Sequence, residues 1–425
     1  MSLSINRFGL KRFKLKYLLY FIIYFAFCFQ FLNNVFGFPT IFRYLIDAAI
    51  IILIIASSRY KGCRIKEIRP LKYWLYFYII YLIVSYFINY QSLAYLIWGL
   101  KNNLRFILFF YLCVRFFDED DVNKIYRLID KLFYINFSLV LIEYLVFGLR
   151  GDLLGGLFGT EKGSNGYLNI YLVVYITITA VRYIETKNES LYKLIIKLGI
   201  IASISALCEL KVVFFELLII IMAAVFSSGF SVKKILIIGL SLVAMYIAYI
   251  YMIGLFQYSV NVFSREGFIN YTFQSGYTLR SNEFNRLNFI SVANNYFLKT
   301  PLHRAIGLGV GNCDTSNIQI FYTPFADMYT NTHYSWFMTA FTYLEQGMIG
   351  LVIYVMFFII NIANTFKKKC LPGGTNTKIA RIIGIMTIII IFYNQSMRQD
   401  MAFLLYFMLA VPYILKKHHQ RTIVK

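Results

Sequence analysis

Runs of mostly apolar residues recur along the chain, separated by short basic turns and by one long polar stretch, Gln257 to Thr332. They lie near 17–36, 41–57, 73–89, 98–114, 132–149, 167–181, 198–210, 211–229, 235–256, 334–362, 380–396 and 401–415. Most approach the ~20 residues that a helix needs to cross a hydrocarbon core of ~30 Å. The pattern predicts an all-α, polytopic helical membrane protein with about 12 transmembrane helices. It reads as a single integral membrane domain, 1–425, with one large helical extracytoplasmic loop, 257–332.

Composition agrees. Of 425 residues, 59% are hydrophobic and 15% charged, too few charges to coat a soluble globule of this size. The first run is too long for the apolar core of a signal peptide, and Asn33 to Pro39 lacks a small-residue cleavage pattern. It reads as a retained signal-anchor helix.

A net charge of +22 raises the question of nucleic acid, but its distribution answers against it. With the N-terminus inside, Lys11, Arg12, Lys14 and Lys16, then Arg59, Lys61, Arg64, Lys66, Arg69 and Lys72, fall on the cytoplasmic side. Lys233, Lys234, Lys367, Lys368, Lys369, Lys416 and Lys417 follow them. The short outward turns are nearly bare of Lys and Arg, and every short loop fits the positive-inside bias. Both termini are expected in the cytoplasm, with anionic lipid headgroups as neighbours of the basic turns. Asp118 to Asp121 reads as a helix N-terminus, where carboxylates favour the exposed amides.

The six cysteines make no framework, since only Cys313 falls in the large loop, and no metal-ligand spacing appears. No cofactor and no metal are expected. A smaller outward loop, Arg150 to Gly166, is rich in glycine. Between the seventh and eighth runs, Glu209 and Lys211 stand so near the hydrocarbon that they are either a structural pair or a wet site.

Within the large loop, Glu283 to Lys299 has helical period, with Leu287, Ile290, Ala293 and Phe297 on one stripe, and Pro301 ends it. A second helix is expected from Thr332, carrying Tyr334, Phe337, Phe341 and Tyr343, the two capping a cavity. Arg265, Arg280, Arg286 and Arg304 in this loop, and Arg105 and Lys211 at outward ends of spans, oppose the topology bias. Guanidinium binds phosphate oxygens through a fixed fork of donors, so clustered arginines suit a pyrophosphate. The plainer alternative is a salt bridge from Glu283 to Arg280 or Arg286. His333 beside Tyr334 and Trp336 is either an interfacial belt residue or a proton acceptor. Gly307 to Gly311 lacks the spacing and context of a nucleotide loop and reads as a close-packed turn.

Asn285-Arg286-Leu287, Pro301-Leu302, Gly307 to Gly311, Thr332-His333 and Leu344-Glu345-Gln346-Gly347-Met348-Ile349-Gly350-Leu351 together resemble the O-antigen polymerase and ligase superfamily. Ile97 to Phe106, Phe158-Gly159-Thr160 and Ser164-Asn165-Gly166 are similar to stretches of polysaccharide polymerases. The chain departs in carrying Tyr334 where the family often has asparagine, and Lys211 where many members carry arginine. The resemblance implies a metal-independent glycosyltransferase of the bacterial plasma membrane. It would join undecaprenyl-pyrophosphate-linked oligosaccharide repeat units into O-antigen, capsular or exopolysaccharide on the outer face. On that reading His333, Arg286 and Arg280 are catalytic, and Arg105, Lys211, Arg265 and Glu345 bind substrate. Partners would be the lipid-linked oligosaccharide, membrane lipids, a flippase and a chain-length regulator, with no nucleic acid. A ligase of the same superfamily, and a lipid-linked oligosaccharide flippase, are the alternatives. Transporters typically carry internal repeats, and none accompanies the intramembrane acids Asp47, Glu143 and Glu216.

Overall fold

The structure is a computed structural model that describes residues 2–58, 65–186, 190–227, 264–273, 282–316, 318–367, 371 and 374–423, with isolated positions between 238 and 254. The expected span at 235–256 falls outside the described residues apart from those positions. So do Arg280 and the basic residues Arg59, Lys61, Arg64, Lys233, Lys234, Lys368 and Lys369.

Among the described residues the chain is helical, without strands. The long helices are α1 (Ser2–Phe36), α2 (Tyr44–Ser58), α3 (Arg69–Asn89), α4 (Leu93–Phe116), α5 (Glu119–Leu145), α6 (Ser164–Thr186), α7 (Leu191–Leu207) and α8 (Lys211–Ser227). Four short helices follow: α9 (Arg265–Thr272), α10 (Phe289–Val292), α11 (Pro301–Ile306) and α12 (Pro324–Tyr329). Three long ones close the chain: α13 (Met338–Phe366), α14 (Thr375–Tyr393) and α15 (Ala402–Ile423). Among the described residues six segments are long and apolar enough to cross a membrane: Leu15–Phe36, Thr40–Ser58, Lys66–Asn89, Ser164–Thr186, Met338–Phe366 and Thr375–Tyr393. The protein is a helical membrane protein.

Local sequence sets the helix ends. Ser92 caps α4 through its side chain. The acidic run is a capping box: Asp118 accepts from the Asp121 amide at 3.3 Å, and Asp121 accepts from the Asp118 amide at 2.9 Å. Lys16 then joins Asp121 at 3.1 Å, tying α1 to α5.

Helix α6 is an interior element, with 83% of its apolar window buried, against 28% for the spans containing α2 and α3. α15 packs along α4, and α14 lies between α6 and α13. In a bilayer the outward faces of α2 and α3 meet lipid.

Cross-links sort the connections into two ends. At one, Gln91 Nε2 donates to the Val310 carbonyl at 2.7 Å and the Thr160 amide to Asn34 Oδ1 at 3.1 Å. Asn165 Nδ2 reaches the Cys208 carbonyl at 3.3 Å, and Ser396 Oγ the Gly166 carbonyl at 3.0 Å. At the opposite end, Arg115 donates to the Ser57 carbonyl, and Lys378 and Lys416 pair with Glu185 and Glu67. The described part of the large loop caps the first end.

Candidate functional site

His333 stands between two short 3-10 turns, Thr330–Thr332 and Tyr334–Trp336, with φ +60°. Non-glycine residues seldom take that conformation, and such positions concentrate at functional sites. The second helix therefore begins at Met338, later than the sequence suggested. His333 Nδ1 lies 2.8 Å from Glu283 Oε1; the Glu283 side chain is wholly buried and the imidazole is 17% exposed. The Trp336 ring lies 3.9 Å from the imidazole, centroid to centroid. Glu283 thus pairs with the histidine, fifty positions away.

The helix expected over Glu283 to Lys299 begins only at Phe289 and widens into a π-turn, Ala293–Phe297. Asparagine chemistry explains the delay. Asn288 Oδ1 accepts from the Asn285 amide at 2.6 Å, and Asn285 Oδ1 from the Arg286 amide at 2.8 Å. Such side-chain bonds offer the backbone an alternative to a helix. The Phe284 amide donates to the Thr332 carbonyl at 2.9 Å, laying this turn against the His333 segment. Arg286, half-buried, is held by Asn285 Oδ1 at 3.1 Å, with its guanidinium 4.9 Å from the Tyr393 ring centre and 5.6 Å from that of Phe337.

From Tyr393 a chain of charges runs through the turn before α15. Arg398 reaches Asp314 at 3.1 Å and stacks 3.3 Å over Phe341. Asp400, buried, takes Arg43 at 2.6 Å and Arg105 at 3.4 Å. Arg105 also donates to the Arg398 carbonyl at 2.9 Å and faces Asp47 at 4.0 Å, while Lys101 meets Asp47 at 3.3 Å. The cations Arg43, Lys101, Arg105, Arg286 and Arg398 thus stand among the carboxylates Asp47, Asp314 and Asp400, with Glu283 and Glu345 close by. Arg43, Arg398 and their carboxylate partners were missed from sequence. Both arginines break the bias assigned to every short outward loop, since each sits in a short connection at the capped end; that departure was the available signal.

Glu345 lies beneath, fully buried in α13, its Oε1 accepting from the Cys313 amide at 3.1 Å. Helix α13 is broken at Gly347, φ +64°. The loop fills the break: the amides of Leu308 and Gly309 donate to the carbonyls of Leu344 and Glu345 at 2.8 and 2.9 Å. Gly307 and Gly347 interlock, because a Cβ on either would come within 2.4 Å of backbone on the other's segment. Tyr81 donates to the Gln346 carbonyl, and Tyr78 to its side-chain oxygen at 2.9 Å. Irregular backbone inside a membrane needs such partners. The glycine-rich segment is a close-packed turn.

The remaining sequence candidates lie elsewhere. Lys211 pairs with Glu209 at 3.0 Å. Arg265 opens α9 on an exposed face, whereas the far end of that helix, Thr272, meets the Leu287 amide at 2.9 Å. Arg280 lies outside the described residues. Burial pushes the Cys313 thiol well up, which makes it a packing residue and not a nucleophile. Glu143 accepts amides of Gly155 and Gly156 at 3.2 and 2.9 Å, fastening the smaller loop.

Fold and site together define a helical membrane protein with a capped, arginine-rich end. No family model, no curated protein and no solved structure matches this chain.

Proposed function

We propose that the protein is a polymerase that joins undecaprenyl-pyrophosphate-linked oligosaccharide repeat units at the outer face of the plasma membrane. The observation that carries the reading is the placing of Arg286 and the His333–Glu283 pair on adjoining turns, next to a chain of arginines held by carboxylates. In the transfer, a hydroxyl of the incoming unit attacks the anomeric carbon of the growing glycan. The bond from that carbon to the pyrophosphate oxygen breaks, and the lipid pyrophosphate leaves with the electron pair. Charge develops on the departing oxygen, which Arg286 stabilises, with Arg105 and Arg398 adding to the positive field. The attacking hydroxyl loses its proton to His333 Nε2. Glu283, bonded to Nδ1, fixes the orientation of the ring so that Nε2 faces the attacking hydroxyl.

Arg43 and Arg105 are already engaged by Asp400, so they set the field and are not the direct pyrophosphate ligands. Glu345, bonded to the Cys313 amide and enclosed, holds the loop. Arg280 keeps only its sequence-based role.

The test is incubation of purified protein with lipid-linked repeat units, without nucleotide or metal, followed by sizing of the glycan. Lengthening by whole repeats is expected. It should fall at least ten-fold in Arg286→Lys, whose ammonium lacks the fork, and ~10²-fold or more in His333→Ala. Unchanged chain lengths at equal protein would remove both residues from the mechanism. Transfer only to an acceptor other than another repeat unit would identify a ligase instead.

A further inference from the structure

The end of the bundle away from the cap carries a cavity of about 240 Å³ between α2, α3 and α4. One water in the liquid occupies ~30 Å³, so this is no packing defect. Its floor is apolar, with Ile54, Leu75 and Leu108 among the lining. Its rim carries Lys72, Arg115 and Lys417, and no carboxylate stands in the described wall. The nearest acid of the α3 entry turn, Glu67, is taken up by Lys416. The Tyr111 hydroxyl lines the cavity, enclosed and without a hydrogen-bond partner.

Lys417 is committed elsewhere: it donates to the carbonyls of Val114, Arg115 and Phe117 at 2.6, 3.2 and 2.5 Å, closing the C-terminus of α4. Arg115 is held in the cavity wall by its bond to the Ser57 carbonyl, a fixed guanidinium, and Lys72, exposed on α3, is the movable cation beside it. Helices α2 and α3 each touch α4, and the cavity lies among the three. The outer faces of α2 and α3 beside it are apolar and exposed, with Ile51, Ile55, Tyr73 and Phe77 all more than half accessible. A ligand entering there comes from the bilayer.

We propose that this cavity binds an anionic phospholipid, its phosphate between Lys72 and Arg115 with Tyr111 as hydroxyl donor, and an acyl chain along Ile54, Leu75 and Leu108. A basic pocket between membrane helices is suited to an anionic headgroup. Charge supplies the preference, and the apolar floor supplies the hold. The inference stands apart from the proposed activity, since none of its residues belongs to the capped end.

The experiment uses the full chain purified in detergent, with phosphatidylglycerol, phosphatidylcholine and inorganic phosphate as probes. Retained lipid is measured by native mass spectrometry, and protection by thermal unfolding. Phosphatidylglycerol should be retained in preference to phosphatidylcholine, with each cation contributing about five-fold. Lys72→Gln should lose its share and Lys72→Gln with Arg115→Gln nearly all of it, while Leu75→Trp should weaken retention of phosphatidylglycerol by filling the apolar half. Should Arg115→Gln fail to fold, Lys72→Gln decides alone, because Lys72 lies on the exposed side of α3. Equal retention of the two lipids, an undiminished preference in Lys72→Gln, or equal protection by inorganic phosphate would each overturn the proposal.

Discussion

Positive charge gathers at both ends of the bundle but is organised differently. At the capped end Arg43 and Arg105 share Asp400, Arg398 takes Asp314 and Lys101 takes Asp47, so that most cations are fixed by a carboxylate. Around the cavity at the other end, Lys72 and Arg115 meet no carboxylate in the described wall. On the two proposals made above, the difference corresponds to two tasks. A site that stabilises charge developing on one atom needs donors already held in position. A seat for a resident headgroup needs only net charge and an apolar bed.

The sharpest break between the two ends comes from the histidine pair. Glu283→Gln keeps the size of the side chain but removes its charge, and the proposed glycan lengthening should fall by ~10²-fold or more at equal folded protein. Rates unaltered in that variant would reduce Glu283 to a packing partner. Next is Gly347→Ala, which demands φ +64° of alanine and drives its Cβ to 2.4 Å from the Ala305 backbone. A loss of ~3 kcal/mol or more is expected in thermal or denaturant unfolding. Gly148→Ala, at φ +68° with open space around it, isolates the conformational part and should lose only ~1 kcal/mol. Asp400→Asn should destabilise by about 3 kcal/mol, because it leaves two guanidinium groups without their shared carboxylate. Glu185→Gln, which breaks the one-to-one, partly exposed pair with Lys378 at the opposite end, should change stability by less than ~1 kcal/mol. Equal effects of Asp400→Asn and Glu185→Gln would erase the distinction between the ends.

Much of the scaffold was legible because hydropathy and capping are local. Among the described residues six of the apolar runs appear as helices long and apolar enough to span, and the helix N-terminus read at Asp118–Asp121 is the start of α5. The charge pair at Glu209 and Lys211 was also within reach, being two residues apart. What eluded sequence reasoning is what depends on folding across distance. Glu283 had two arginines within three residues, but nothing local announced that it also meets His333, brought in by a backbone bond from Phe284 to Thr332. The helical stripe of Glu283 to Lys299 was correctly periodic beyond Phe289, but Asn285 and Asn288 spent their side chains on a turn. Gly347 inside an apolar run gave no local sign that the helix would break there. Its meaning appears only when Gly307 arrives from the loop to occupy the gap.

That interlocking has a mechanical corollary. Prying the glycine turn away from α13 would strand the carbonyls of Leu344 and Glu345 where no solvent replaces the lost donors. The lid is therefore riveted at Leu308 and Gly309. On the function proposed above, a lipid-linked glycan would slip past this fixed point along the flank where Arg286 and Tyr393 face each other, and not beneath a flap that swings upward.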